Sequence, residues 1–195
     1  YFACLGAGFM LAELALMQRL HVVLGHPTYA LVLVLASLLV ATGAGSALST
    51  RAVRSRRAVR VVALCAGVLL LALPWVALGP LARATEQSAF SVRAAWCAAV
   101  SAVVGLLLGM LFPSGLRYVD RVRGAPVALA VNGACSVLGS VASLLVSVWA
   151  GIPASFALAG ALYLVAGALA PTGWAPVAGA ADEGAAEGAA TGASA

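Results

Sequence analysis

Charge is scarce in this sequence. Of its 195 residues only 9% are charged, and lysine is missing altogether; a soluble domain carries about a quarter charged residues. With 64% hydrophobic residues and a mean hydropathy of +1.08, the chain has too little polar surface to cover a water-soluble globule of any fold. Cys4, Cys65, Cys97 and Cys135 fall inside apolar runs and form no close pair, and histidine occurs only twice. These counts argue against a disulfide framework and a Cys/His metal site, and the thiols read as small lipid-buried groups. There is no glycine-rich turn between a strand and a helix, no Cys/His cluster and no nucleophile beside a base. No catalytic site and no cofactor or metal site is therefore expected within the chain. The first apolar run has neither a basic flank before it nor a small-residue cleavage site after it, which argues against a signal peptide. Opening on Tyr1 rather than Met, the sequence reads as a fragment of a longer polypeptide.

What it does have is apolar length. An α-helix needs about 20 apolar residues to cross a bilayer, and six runs qualify, at about 2–18, 28–50, 61–81, 93–116, 127–150 and 152–171. The expected fold is all-α, a polytopic membrane helix bundle over residues 1–171. The remainder, 172–195, is Gly/Ala-rich with Asp182, Glu183 and Glu187, and reads as a disordered acidic tail.

The placement of charge orients the bundle. RAVRSRRAVR between the second and third runs holds Arg51, Arg54, Arg56, Arg57 and Arg60, and RYVDRVRGAP between the fourth and fifth holds Arg117, Arg121 and Arg123. Short arginine-rich loops stay in the cytoplasm, and two spans separate these loops, so both termini are expected inside. The arginine run is a short loop between spans, which argues against nucleic-acid binding. It would instead meet anionic lipid of the inner leaflet, at about 1 kcal/mol per residue. Trp75, Trp96 and Trp149 then fall near the outer interface, and Tyr118 and Trp174 near the inner one, the belts their amphipathic rings favour.

Small residues mark the packing faces, because close backbone approach drives helix association in lipid. The fourth run has Cys97, Ser101, Gly105 and Gly109 at four-residue spacing. The fifth has Ser136, Gly139, Ser140, Ser143 and Ser147, and the second has Ser37, Ala41 and Gly45. Pro113, in the last turn of the fourth run, frees a carbonyl and can kink the helix.

The opening stretch MLAELALMQRLHVVLGHPTYALVLVL carries Glu13, Gln18, Arg19, His21 and His26. Arg19, His21 and His26 are expected near the outer interface, with Gly25-His26-Pro27 as the break between spans. His21 and His26 lack the i, i+4 spacing of a helical metal pair. Glu13 lies deeper, about 9 Å inward of Arg19. A carboxylate there costs about 3 kcal/mol or more, so it is protonated, hydrated or paired across helices, with Arg93 the candidate partner. Asn132 is the other intramembrane polar residue, nearer the inner face.

The phrases GFMLAELALMQRL, LGHPTYALVLVLASLL, GAGSALS, GMLFPSGLR and AVNGACSVLGSV, in this order, resemble the C-terminal membrane region of bacterial membrane-bound spermidine-synthase-like proteins. The resemblance runs from residue 1 to about 150, and more weakly to Pro171. It implies a bacterial plasma-membrane protein in which a cytoplasmic Rossmann-like domain, of aminopropyltransferase or methyltransferase type, precedes these helices. The residues that bind the aminopropyl donor or S-adenosylmethionine would belong to that domain. The family's opening Glu and Gln-Arg fall on Glu13, Gln18 and Arg19. Its Gly-His-Pro turn falls on Gly25, His26 and Pro27, followed by Tyr29. Its Phe-Pro helix end falls on Phe112 and Pro113, and its Asn-Gly on Asn132 and Gly133.

Three readings follow for this chain's own contribution. It is a membrane module that anchors a cytoplasmic domain and handles a membrane-proximal substrate, or the six-helix half of a major-facilitator-like transporter with Glu13 as coupling carboxylate, or a purely structural anchor. The GAGSALSTRAVRSRR segment resembles the transporter family's Gly…Arg-Arg loop, although the acidic residue that accompanies those arginines is missing.

Overall fold

The computed structural model describes residues 1–53, 55–79, 88–119 and 124–170. Arg54, Arg121, Arg123, Trp174 and the acidic tail lie outside the described residues. Helix α1 runs over Phe2–Leu24, α2 over Pro27–Ala52, and α3 over Arg56–Leu73. Helix α4 covers Phe90–Leu116, α5 Gly124–Ala150 and α6 Ile152–Leu169. All six are long and apolar enough to cross a membrane. The chain is a multi-pass, all-α membrane bundle.

Local chemistry sets the boundaries. Helix α1 continues six residues past the expected end at 18, because Gln18, Arg19 and His21 are tolerated on its last turns. It stops where Gly25 turns left-handed at φ 76° and its N–H bonds the His21 carbonyl, a helix ending that glycine favours. Pro27 then starts α2, with the His26 Nδ1 accepting from the Thr28 N–H at 3.3 Å. Helix α3 begins earlier than the apolar run, at Arg56, because the Ser55 hydroxyl caps the Ala58 N–H at 3.2 Å. Its far end widens into a π-turn over Pro74–Leu78, since Pro74 offers no N–H to the carbonyl four residues back.

The helices alternate in direction. Tyr1, ahead of α1, donates its hydroxyl to the Leu111 carbonyl near the end of α4 at 2.9 Å, while Arg93 at the start of α4 reaches Val23 near the end of α1. Helices α2 and α4 run the same way, and Arg117 at the end of one bonds Val53 at the end of the other. Helices α5 and α6 form a hairpin closed by the Ser147 and Ser155 hydroxyls at 2.9 Å. Tyr1, Arg51, Arg56, Arg57, Arg60, Arg117 and Ala170 thus share one end of the bundle.

Small residues bring the backbones together. The space of a Cβ on Gly45 is taken by the Leu106 carbonyl, and that on Gly109 by the Thr42 backbone, which joins α2 to α4. Gly105 faces the Leu38 carbonyl, 3.1 Å from where its Cβ would stand. Between α1 and α5, a Cβ on Gly139 would stand 2.6 Å from the Ala7 carbonyl oxygen, and one on Gly6 would meet that of Asn132. Gly67 of α3 and Gly160 of α6 face each other's carbonyls at 2.9 and 2.8 Å. Gly45, Gly105, Gly109 and Gly139 of the small-residue stripes lie in these contacts. Helix α1 sits centrally, with Leu11, Ala12, Ala15, Leu16 and Leu20 essentially without exposure. The outward faces carry bare apolar side chains, Val137 at 66% and Leu138 at 68% exposure, as lipid contact requires.

Candidate functional site

Five helices line a cavity of about 370 Å³ in the half of the bundle nearer Tyr1. Helix α1 supplies Gly6 and Phe9 from its first turns, and α4 supplies Gly109, Phe112 and Pro113 from its last. Asn132 and Ser136 come from α5, Thr42, Gly43 and Ser46 from α2, and Tyr163 from α6. The lining contains no charged residue. Its polar groups are placed by the fold. The Asn132 amide nitrogen donates to the Phe2 carbonyl at 3.1 Å, a carbonyl close to the end of the helix. The Ser136 hydroxyl donates back to the Asn132 carbonyl at 2.8 Å, and the Thr42 hydroxyl to the Leu38 carbonyl at 2.8 Å, the intrahelical bonds hydroxyls adopt within apolar helices. Pro113 has no N–H, so the Gly109 carbonyl lacks its usual helical donor.

Tyr163 is the residue the sequence reading missed. It is only 1% exposed, its ring packs on Gly8, and its hydroxyl forms no hydrogen bond among the described residues. Among the described residues, the fully enclosed polar side-chain atoms without a partner are Arg93 Nε, Ser101 Oγ and Ser143 Oγ. The Tyr163 side chain is one of those that line the cavity. Its one sequence signal is that it stands as a lone hydroxylated aromatic in the run FALAGALYLVAGAL.

The singled-out polar residues scatter. Asn132, Ser136 and Gly109 meet at the cavity. Gly139 and Ser143 are buried in helix contacts, and the Ser155 hydroxyl donates to the Ser143 carbonyl at 3.3 Å. Ser140 bonds the Val137 carbonyl of its own helix. His26 and Tyr29 are exposed at the outer end, their rings edge-to-face at 5.5 Å, and Tyr29 stacks similarly on Phe90. Arg19 lines a separate outer cavity of about 270 Å³ with Trp75 and Phe156. Gln18 is half-buried and forms no hydrogen bond among the described residues. No group of three metal-ligating side chains occurs among the described residues.

Glu13 is the central residue of α1 and is 9% exposed. It lies one turn beyond Phe9 on the same face of α1. The expected pairing with Arg93 does not form. Arg93 Nη1 donates instead to the Val23 carbonyl at 3.2 Å, ten residues and about 15 Å of helix rise from Glu13. The pull on Arg93 is the partial negative charge at the end of α1. Two further arginines do the same work. Arg60 Nε and Nη2 donate to the Ala170 carbonyl at 3.3 and 3.2 Å, and Arg117 to the Val53 carbonyl and Ser49 hydroxyl, both at 3.0 Å. Each caps the C-terminus of a neighbouring helix. Arg51 and Arg57 remain exposed, and Arg56 lies 5.9 Å over the Tyr118 ring.

Comparison with known proteins finds no matching family model, no matching curated protein and no matching solved structure.

Proposed function

We propose that this bundle is the membrane module of a spermidine-synthase-like protein, holding a cytoplasmic transferase-type domain at its Tyr1 end and working through the cavity beside that end. One observation carries the reading. The five phrases behind the resemblance are scattered over the chain, yet each contributes to one cavity: Phe9, Leu39, Ser46, Phe112 and Asn132, one from each phrase. A pure anchor needs no such convergence, since apolar length alone holds a chain in lipid. The Tyr1 end is also firmly seated, by the Tyr1 hydroxyl on Leu111 and by Phe2 edge-to-face on Phe112 at 5.4 Å. A domain joined there would be held close to the cavity. Exposed arginines at the same end, Arg51 and Arg57, would meet anionic lipid of the bacterial inner membrane.

The test is limited proteolysis of the native protein in membrane vesicles of known sidedness. Protease on the cytoplasmic face should release a soluble fragment and leave a membrane-embedded remainder of about 19.3 kDa. Release only from the opposite face, or none from either, would overturn the reading. Glu13 favours the second reading, a half-transporter. It is a carboxyl at the middle of a span without a cation partner among the described residues, as a proton-coupling group would be.

A further inference from the structure

The cavity has a side door. Helices α1, α4 and α6 close its back, but on α2 the lining Leu39 is 70% exposed and Gly43 is exposed. On α5 the lining Asn132 and Ser136 are half-buried. The opening therefore faces sideways between α2 and α5, at the depth of the cytoplasmic leaflet. A molecule that uses it arrives through lipid.

Its interior defines what that molecule carries. The Tyr163 hydroxyl has no hydrogen-bond partner among the described residues, on a side chain that is almost wholly buried and lines the cavity. Asn132 spends one amide hydrogen on Phe2, which leaves a second hydrogen and its amide oxygen. Gly109, whose carbonyl lacks its helical donor, and Ser46 line the same cavity. A buried polar group without a partner is costly, so these groups together specify a guest with both acceptors and a donor. The guest is uncharged, because the lining holds no cation to balance a phosphate. The nearby Arg117 is already committed to Val53 and Ser49. Phe9 and Phe112 provide apolar flanks beside these groups.

We infer that the cavity binds the neutral, hydroxyl- and ester-bearing neck of a diacylglycerol-type lipid from the cytoplasmic leaflet, with its acyl chains leaving between α2 and α5. This rests on reading the cavity as the bundle's working site, and it names the class of guest.

The test uses the full chain in vesicles with a diacylglycerol bearing a photoactivatable acyl chain, and in parallel a phosphatidylglycerol bearing the same chain. Cross-links from the diacylglycerol should concentrate on Leu39, Gly43 and Ser136 and be displaced by unlabelled diacylglycerol. Tyr163→Phe keeps the ring on Gly8 and should weaken labelling about five-fold, the factor one neutral hydrogen bond carries. Gly43→Trp should abolish it, since nothing lies within 4 Å of a Cβ at Gly43 and the ring can fill the door without disturbing a helix contact. Three results would overturn the inference: labelling spread evenly over outward residues such as Val137 and Leu138, labelling unchanged in both variants, or equal labelling of the door by the charged lipid. None of these depends on a cytoplasmic domain. A lipid result therefore stands or falls separately from the proteolysis result, which tests the module reading itself.

Discussion

Arg93 and Val23 are joined across the bundle, the guanidinium Nη1 donating to the backbone carbonyl at 3.2 Å. The bond places a cation on the C-terminal carbonyls of α1, where the helix dipole favours it. It also takes Arg93 away from Glu13. Arg93→Met should therefore cost stability, by about 1–2 kcal/mol for the lost charged hydrogen bond, visible as a lower Tm in detergent. An unchanged Tm would show that the cap contributes nothing.

Glu13→Gln separates the two residues further. With no ion pair to break among the described residues, the substitution should leave thermal stability within about 0.5 kcal/mol. Any proton-coupled activity of the whole protein should nevertheless disappear, because an amide cannot carry the proton. A loss of several kcal/mol would instead reveal a buried cation facing Glu13.

Arg117 and Arg57 offer a comparison within the same basic end. Arg117→Lys keeps the charge but not the planar fork that reaches both Val53 and Ser49, and should cost about 1–2 kcal/mol. Arg57 is exposed, and Arg57→Ala should change stability by no more than about 0.5 kcal/mol. Thermal unfolding of the two variants side by side checks the difference.

The glycines sort in the same way. Gly6→Ala and Gly109→Ala place a methyl on the backbone of Asn132 and Thr42 respectively. The helices must move apart, at a cost of about 1–3 kcal/mol each. Gly43 and Gly133 meet nothing within 4 Å, and alanine at either position should stabilise its helix by about 0.5–1 kcal/mol. Tm shifts of opposite sign between the two pairs are the expected outcome, and the same sign throughout would contradict the packing scheme.

The spans and the packing stripes were legible because lipid imposes strong rules on length and on small residues. Gly105, Gly109 and Gly139 sit at the contacts their spacing announced. Long-range polar partners were not legible. Arg93 looked like a match for Glu13 by depth, but depth along a span says nothing about which neighbour a side chain meets. The caps by Arg60 and Arg117 were hidden because both residues also fit the positive-inside pattern. Tyr163 was hidden because a tyrosine in an apolar run reads as core. Only the approach of α1, α4 and α6 shows that it lines a cavity.

The reading of this bundle as one part of a larger cytoplasmic machine is tested most directly by the intact mass of the native polypeptide, together with its coding sequence upstream of Tyr1. The expected result is a mass well above 19.3 kDa and an in-frame domain with a strand, a glycine-rich turn and a helix, followed about 20 positions on by an acidic residue. Six further apolar spans in that place would contradict it and make the chain half of a transporter. A start codon beside Tyr1 would contradict it as well, leaving a free-standing bundle with Glu13 and the cavity as its working parts.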